Sequence, residues 1–108
     1  MPLADNGATA LAFKTSAANQ KVIIRYNAEC QGGSTGWVSV SIFVDGVEAS
    51  PASGSDFALC TGTAYIGALR QSTFVVPGSG AHSVIMQAQA AGGGTFFRLD
   101  DTSLTVEK

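Results

Sequence analysis

The sequence predicts an all-β domain, an antiparallel two-sheet β-sandwich of jelly-roll-like type with about eight strands. Three observations carry that prediction. Apolar and polar residues alternate with period two in several separate runs, Gly, Pro and Ser clusters punctuate the chain between them, and helical patterning is nearly absent. A parallel α/β fold would need helical crossovers, and the sequence offers none.

The Ala-rich run from Ala8 to Ala18 has helical propensity, but Thr9, Phe13, Thr15 and Ser16 interrupt it. With period two, Ala10, Ala12 and Lys14 alternate with Leu11 and Phe13, which predicts a strand. The run from Lys21 to Cys30 is the clearest signal. Val22, Ile24, Tyr26, Ala28 and Cys30 fall on one face, with Arg25, Asn27 and Glu29 on the other. After the loop from Gln31 to Gly36, Trp37 to Val44 alternates again, with Val38, Val40, Ile42 and Val44 inward and Ser39 and Ser41 outward. Asp45-Gly46 then sits between strand residues. That is a strong hairpin signal, because a type I′ turn needs φ > 0 at both central positions.

A loop from Ser50 to Ser55 leads to a short strand, Asp56 to Thr61. The stretch Ala64 to Val76 predicts a loop and then a strand near Arg70 to Val76. Pro77-Gly78-Ser79-Gly80 is a turn, and Ala81 to Ala91 places His82, Val84, Met86, Ala88 and Ala90 on one face. Gly92-Gly93-Gly94 turns the chain into Phe96 to Asp100 and Ser103 to Val106, a final strand or pair of strands expected beside the first. Residues 1–108 form a single domain on this reading, with 1–8 a flexible N-terminal segment.

Composition narrows function. Charged residues make up 13% of the chain, against roughly 25% in ordinary domains. The surface must rely on Ser, Thr, Gly, Gln, Asn and Ala, which suits an exported protein, a virion component or a subunit packed against its own copies. The formal net charge of −2 offers no attraction for phosphate backbones, so nucleic acid is not an expected partner. No apolar run approaches the roughly 20 residues that span a bilayer, so no membrane insertion is expected. Met1-Pro2-Leu3-Ala4-Asp5 lacks the basic and apolar regions of a signal peptide; either the protein is made without one or Met1 replaces a removed leader.

Cys30 and Cys60 are either a disulfide, favoured in a small Gly-rich β chain, or two buried thiols acting as small hydrophobes. Two cysteines and one histidine cannot complete a four-ligand structural zinc site. Gly32-Gly33-Ser34-Thr35-Gly36 has the letters of a nucleophile elbow. A strand rather than a helix follows it, however, so Ser34 reads as a loop residue. His82 follows a turn on an apolar phase and reads as a packed residue bonded to backbone. With one histidine and scattered acids, the chain is not expected to be an enzyme. No cofactor is expected; Asp100 and Asp101 are weak calcium candidates, set against a local turn at the entry to the final strand.

The outward phase carries the informative anomaly. Ile23, Trp37, Phe43, Ile85 and Phe96 all fall opposite their strands' core residues. That is more than a solitary low-charge domain needs, and it points to an outer face serving as a subunit interface or an aromatic ligand platform. Strand twist, phase error or cover by the N-terminal segment would also account for it.

Five motifs in order strengthen the reading: Asn27-Ala28-Glu29-Cys30, Ile42-Phe43-Val44-Asp45-Gly46-Val47, Asp56-Phe57-Ala58-Leu59-Cys60, Pro77-Gly78-Ser79-Gly80-Ala81-His82-Ser83-Val84, and Arg98-Leu99-Asp100-Asp101-Thr102-Ser103-Leu104-Thr105-Val106. Across residues 10–107 the chain resembles a group of small exported bacterial β-domains. It departs from their pattern in the longer Gly78-to-Ala81 run before His82. The resemblance implies a place outside the cytoplasm and a bonded Cys30–Cys60 pair, but no function.

The expectation is therefore a non-catalytic extracellular or periplasmic binding or structural module. It would act through a sandwich face or its loops, with polysaccharide as the candidate ligand and Trp37, Phe43, Phe96, Ile23 and Ile85 as candidate contacts. The alternative is a self-assembling, virion-decorating or surface-layer protein, with a homo-oligomer or larger assembly as its partner.

Overall fold

The computed structural model describes residues 9–33, 35–52, 58–93 and 97–107. The expected N-terminal segment 1–8, Ser34, Asp56, Phe57 and Phe96 lie outside these. Eight strands follow in order: β1 (Thr9–Thr15), β2 (Gln20–Gln31), β3 (Trp37–Val44), β4 (Val47–Glu48), β5 (Ala58–Thr61), β6 (Ile66–Val76), β7 (Gly80–Ala91) and β8 (Arg98–Glu107). No helix among the described residues is long and apolar enough to cross a membrane.

The strands form two antiparallel sheets. One has the order β1-β7-β3-β4, with β5 also pairing β3; the other is β6-β2-β8. The chain changes sheet at most connections, as in a jelly roll. The first and last strands do not pair. They are edge strands of opposite sheets that approach each other across one side of the sandwich.

Alternation decides what lies between the sheets. Val22, Ile24, Tyr26 and Cys30 from β2 face Val38, Val40, Ile42 and Val44 from β3 and Val84 and Met86 from β7, all essentially without solvent exposure. Leu99 and Leu104 of β8 complete the core, with Leu11 and Phe13 of β1 packed against its edge. Burying each such side chain contributes about 1.5–3 kcal/mol, and together these drive the two sheets onto each other. The Cys30–Cys60 disulfide joins β2 of one sheet to β5 of the other, with Cα atoms 6.0 Å apart. The Asp45-Gly46 hairpin forms as expected, with φ of 50° and 86°.

β6 differs from the sequence expectation, and β8 decides between the two alternatives left open for the end of the chain. β6 begins at Ile66 rather than near Arg70, because β2 pairs with it along its full length, placing Cys30 opposite Ile66. Its early residues show no alternation, since Ile66, Gly67 and Leu69 are all exposed. β8 is one continuous strand, with a bulge where its pairing to β2 shifts between Asn27 and Glu29. Asp101 takes up that irregularity with φ of 47°.

Candidate functional site

The outer face of the five-stranded sheet is built by β3 and β7. Their register is regular through all of β3, pairing Trp37 with Ala91, Ser39 with Gln89, Ser41 with Gln87 and Phe43 with Ile85. Directly opposed residues on one face sit about 4.5–5.5 Å apart, and same-face neighbours along a strand about 6.7 Å apart. Two Ser–Gln pairs in succession therefore set two hydroxyls beside two amides, with Ser39 buried at 1% exposure, Ser41 half-buried and Gln87 and Gln89 exposed. Serine is short and glutamine long, so the β3 side forms a floor and the β7 side a wall. β4 supplies the opposite wall, since Glu48 pairs with Phe43.

The result is a shallow groove of about 410 Å³ lined by Ser39, Ser41, Phe43, Glu48, Gln87 and Gln89. Its volume falls at the lower end of the roughly 300–1,000 Å³ common for small-molecule sites. Hydroxyls and amides both donate and accept hydrogen bonds, so the groove can match a ligand that does the same. Glu48 is the one charged residue among the lining set. Arg70 of β6, only 3% exposed, lies near enough to feel its charge. Burial pushes the Arg70 guanidinium below its ordinary pKa, and the Glu48 carboxylate works against that. Arg70 also donates from Nη2 to the Pro51 carbonyl at 2.6 Å, and Ser50 bridges Thr73 on β6. The segment after β4 is thus fastened to the opposite sheet, which steadies the Glu48 wall.

Trp37 closes the far end of the same face. Its indole occupies the space a side chain at Gly92 would fill, and Gly92 has φ of 65°. Only glycine lets the β7–β8 turn pass this close under the ring.

The expected contact residues separate. Trp37, Phe43 and Ile85 share the outer face of the five-stranded sheet, each half-buried. Ile23 does not join them; it lies on the outer face of the other sheet, opposite Thr73 and Glu107. Phe96 lies outside the described residues. Sequence reasoning missed Ser39, Ser41, Gln87 and Gln89 as groove residues, treating them as ordinary outward polar positions.

His82 is a packed residue, as the sequence suggested. Its Nδ1 lies 2.7 Å from Asp45 Oδ2 and its Nε2 2.8 Å from the Gly78 carbonyl. Thr15 donates to the same carbonyl at 3.0 Å, and the Phe13 ring lies 5.6 Å from the imidazole. The histidine joins β1, the β6–β7 turn and the β3–β4 turn. The Ser83 N–H, and after it the His82 ring, hold the Asp45 carboxyl below its ordinary pKa.

Adjacent residues in a regular strand point to opposite faces, which would separate Asp100 from Asp101. The β8 bulge instead gathers Glu29, Asp100 and Asp101, whose oxygens lie within 4.8 Å of one another. A hydrogen bond with Asp101, reinforced by that residue's charge, pushes the Glu29 carboxyl above its ordinary pKa. All three are exposed. Hard oxygen donors of this kind suit calcium, yet exposed acidic groups are common without an ion.

No family model and no curated protein matches the chain. Among solved structures it is similar to the EclA C-terminal domain, described as a sugar-binding protein. The two share 17% identity with a TM-score of 0.47, over 97% of this chain and 83% of that one.

Proposed function

We propose that this chain is a non-catalytic binding module of an exported protein, and that the groove between β7 and β4 takes a neutral saccharide. The observation that carries the proposal is the pair of cross-strand couples Ser39–Gln89 and Ser41–Gln87, set beside Phe43 on a rigid sheet face. Sugar hydroxyls donate and accept alike, as do these side chains, and an aromatic ring offers an apolar surface for the C–H face of a pyranose. Groups held on strands are already in place, so little ordering entropy opposes binding. Among the described residues, the lining holds no cation to recruit phosphate, sulfate or carboxylate, and Glu48 disfavours them. The disulfide supports a place in the oxidising extracellular or periplasmic space. Among the described residues, His82 is engaged at both ring nitrogens in joining three segments, which supports a binding rather than a catalytic role.

The test is calorimetric titration with a panel of neutral and anionic polysaccharides. The expected result is binding to at least one neutral glycan, weakened about tenfold or more by combined Gln87→Ala and Gln89→Ala. Both positions are exposed, so the fold should tolerate the change. Absence of binding across the neutral panel, or binding indifferent to both substitutions, would refute the assignment.

Self-assembly is the second reading, and one observation favours it. Among the described residues, Tyr65, Ile66, Leu69 and Val75 are each about half exposed and all lie on or next to β6. Sedimentation at rising concentration tests it: a monomer throughout would contradict self-association.

A further inference from the structure

We infer that the ligand is an internal stretch of a linear neutral glycan lying along β3, with Trp37 forming a second contact point beyond the groove. This rests on the saccharide reading and goes further, to the shape of the ligand and the direction in which it runs.

Phe43, Ser41, Ser39 and Trp37 occupy alternate positions of one strand and therefore one face. The two aromatic side chains are six positions apart, about 20 Å along the strand. The face thus runs from Phe43 over the half-buried Ser41 and the buried Ser39 to Trp37, with the exposed Gln87 and Gln89 alongside the middle. The groove itself extends only over Ser39, Ser41 and Phe43. A single sugar would fill that part and leave Trp37 unused. A chain that continues past Ser39 reaches the half-buried indole, which packs against the Gly92 backbone.

The same arrangement disfavours an extended peptide. Main-chain hydrogen bonds give a bound strand its affinity, and they need a sheet edge. Here β7 pairs β3 along its whole length, and on the other side β4 takes Phe43 and Val44 while β5 takes Trp37, Val38 and Ser39, so β3 offers no long continuous edge. Nucleic acid is disfavoured because no lysine or arginine lines the groove.

Chain length is the variable to test. Titrations of the wild-type protein with a homologous series of neutral oligosaccharides, from monosaccharide to hexasaccharide, would be followed by calorimetry and by the side-chain N–H signals of Gln87, Gln89 and Trp37. Affinity is expected to rise with length, with short members moving only the two glutamine amides and long members also moving the indole. Trp37→Ala should then weaken the longest member roughly three- to tenfold and leave the shortest unchanged. The wild-type spectra decide the matter even if that variant folds poorly. Short and long members binding equally, or an indole signal that never moves while the amides do, would overturn the inference and leave the saccharide assignment standing. No binding by any member would overturn both.

Discussion

His82 of β7 lies 2.7 Å from the carboxylate of Asp45 in the β3–β4 turn, and this pair holds one end of the sandwich together. Asp45 also accepts from the Ser83 N–H at 3.0 Å, so its charged form is favoured in the folded state. A carboxyl whose folded pKa is depressed stabilises the fold above its unfolded pKa. That contribution is lost as pH falls through the folded value. Thermal stability should therefore drop in the acid range, and Asp45→Asn, which keeps the turn's positive φ accessible, should flatten the drop. Equal acid slopes in melting curves of the two proteins would remove the pair from the account. His82→Ala should cost about 1–3 kcal/mol at neutral pH by denaturant unfolding.

Trp37 depends on Gly92. An alanine methyl at that position would fall inside the indole ring, on a backbone with φ of 65°. Gly92→Ala is expected to cost about 1–3 kcal/mol and to shift Trp37 fluorescence as the ring is displaced. An unchanged emission spectrum would show that the ring is not seated there.

The disulfide crosses between sheets, so its loss frees β5 from β2 as well as lengthening the unfolded chain. Replacing both Cys30 and Cys60 by Ala should destabilise the domain by about 2–5 kcal/mol. Titration of unreduced, denatured protein should find no free thiols. Two free thiols would contradict the linkage.

Glu29 illustrates the opposite electrostatic case. Its folded pKa is raised by Asp101, so its ionised form is penalised in the folded state, and stability falls as pH rises through the carboxylate range. Glu29→Gln should raise the melting temperature slightly near neutral pH, measured with chelator present, and the gain should vanish in acid. A lower melting temperature for the variant at neutral pH would mean that Glu29 is held by attraction rather than repulsion.

Much of the fold was legible because alternation is strong where one face is buried. β2 buries every second residue from Val22 to Cys30, β3 buries Val38, Val40, Ile42 and Val44 with Ser39 besides, β7 buries Val84 and Met86, and Asp45-Gly46 carries its turn chemistry in two residues. The start of β6 was not legible: its first residues are exposed on both faces, so burial imposes no pattern there. The outward apolar residues show a deeper limit. Phase says that Ile23 and Trp37 point away from the core, but only strand pairing says that they point away from different sheets. The gathering of Asp100 and Asp101 with Glu29 was not legible for a related reason, since a bulge cancels the rule that neighbours face opposite ways. The groove had a signal that could have been read. Ser39 and Ser41 put two short side chains in succession on the outward phase of a strand that is otherwise β-branched and aromatic, and a depression follows from that.

Amide shift mapping during titration with a neutral glycan tests the outer face of the five-stranded sheet as a saccharide site most directly. The predicted result is a continuous perturbed patch over Ser39, Ser41, Phe43, Gln87 and Gln89. Perturbation confined to β6, β2 and β8, or none at saturating glycan, would contradict it.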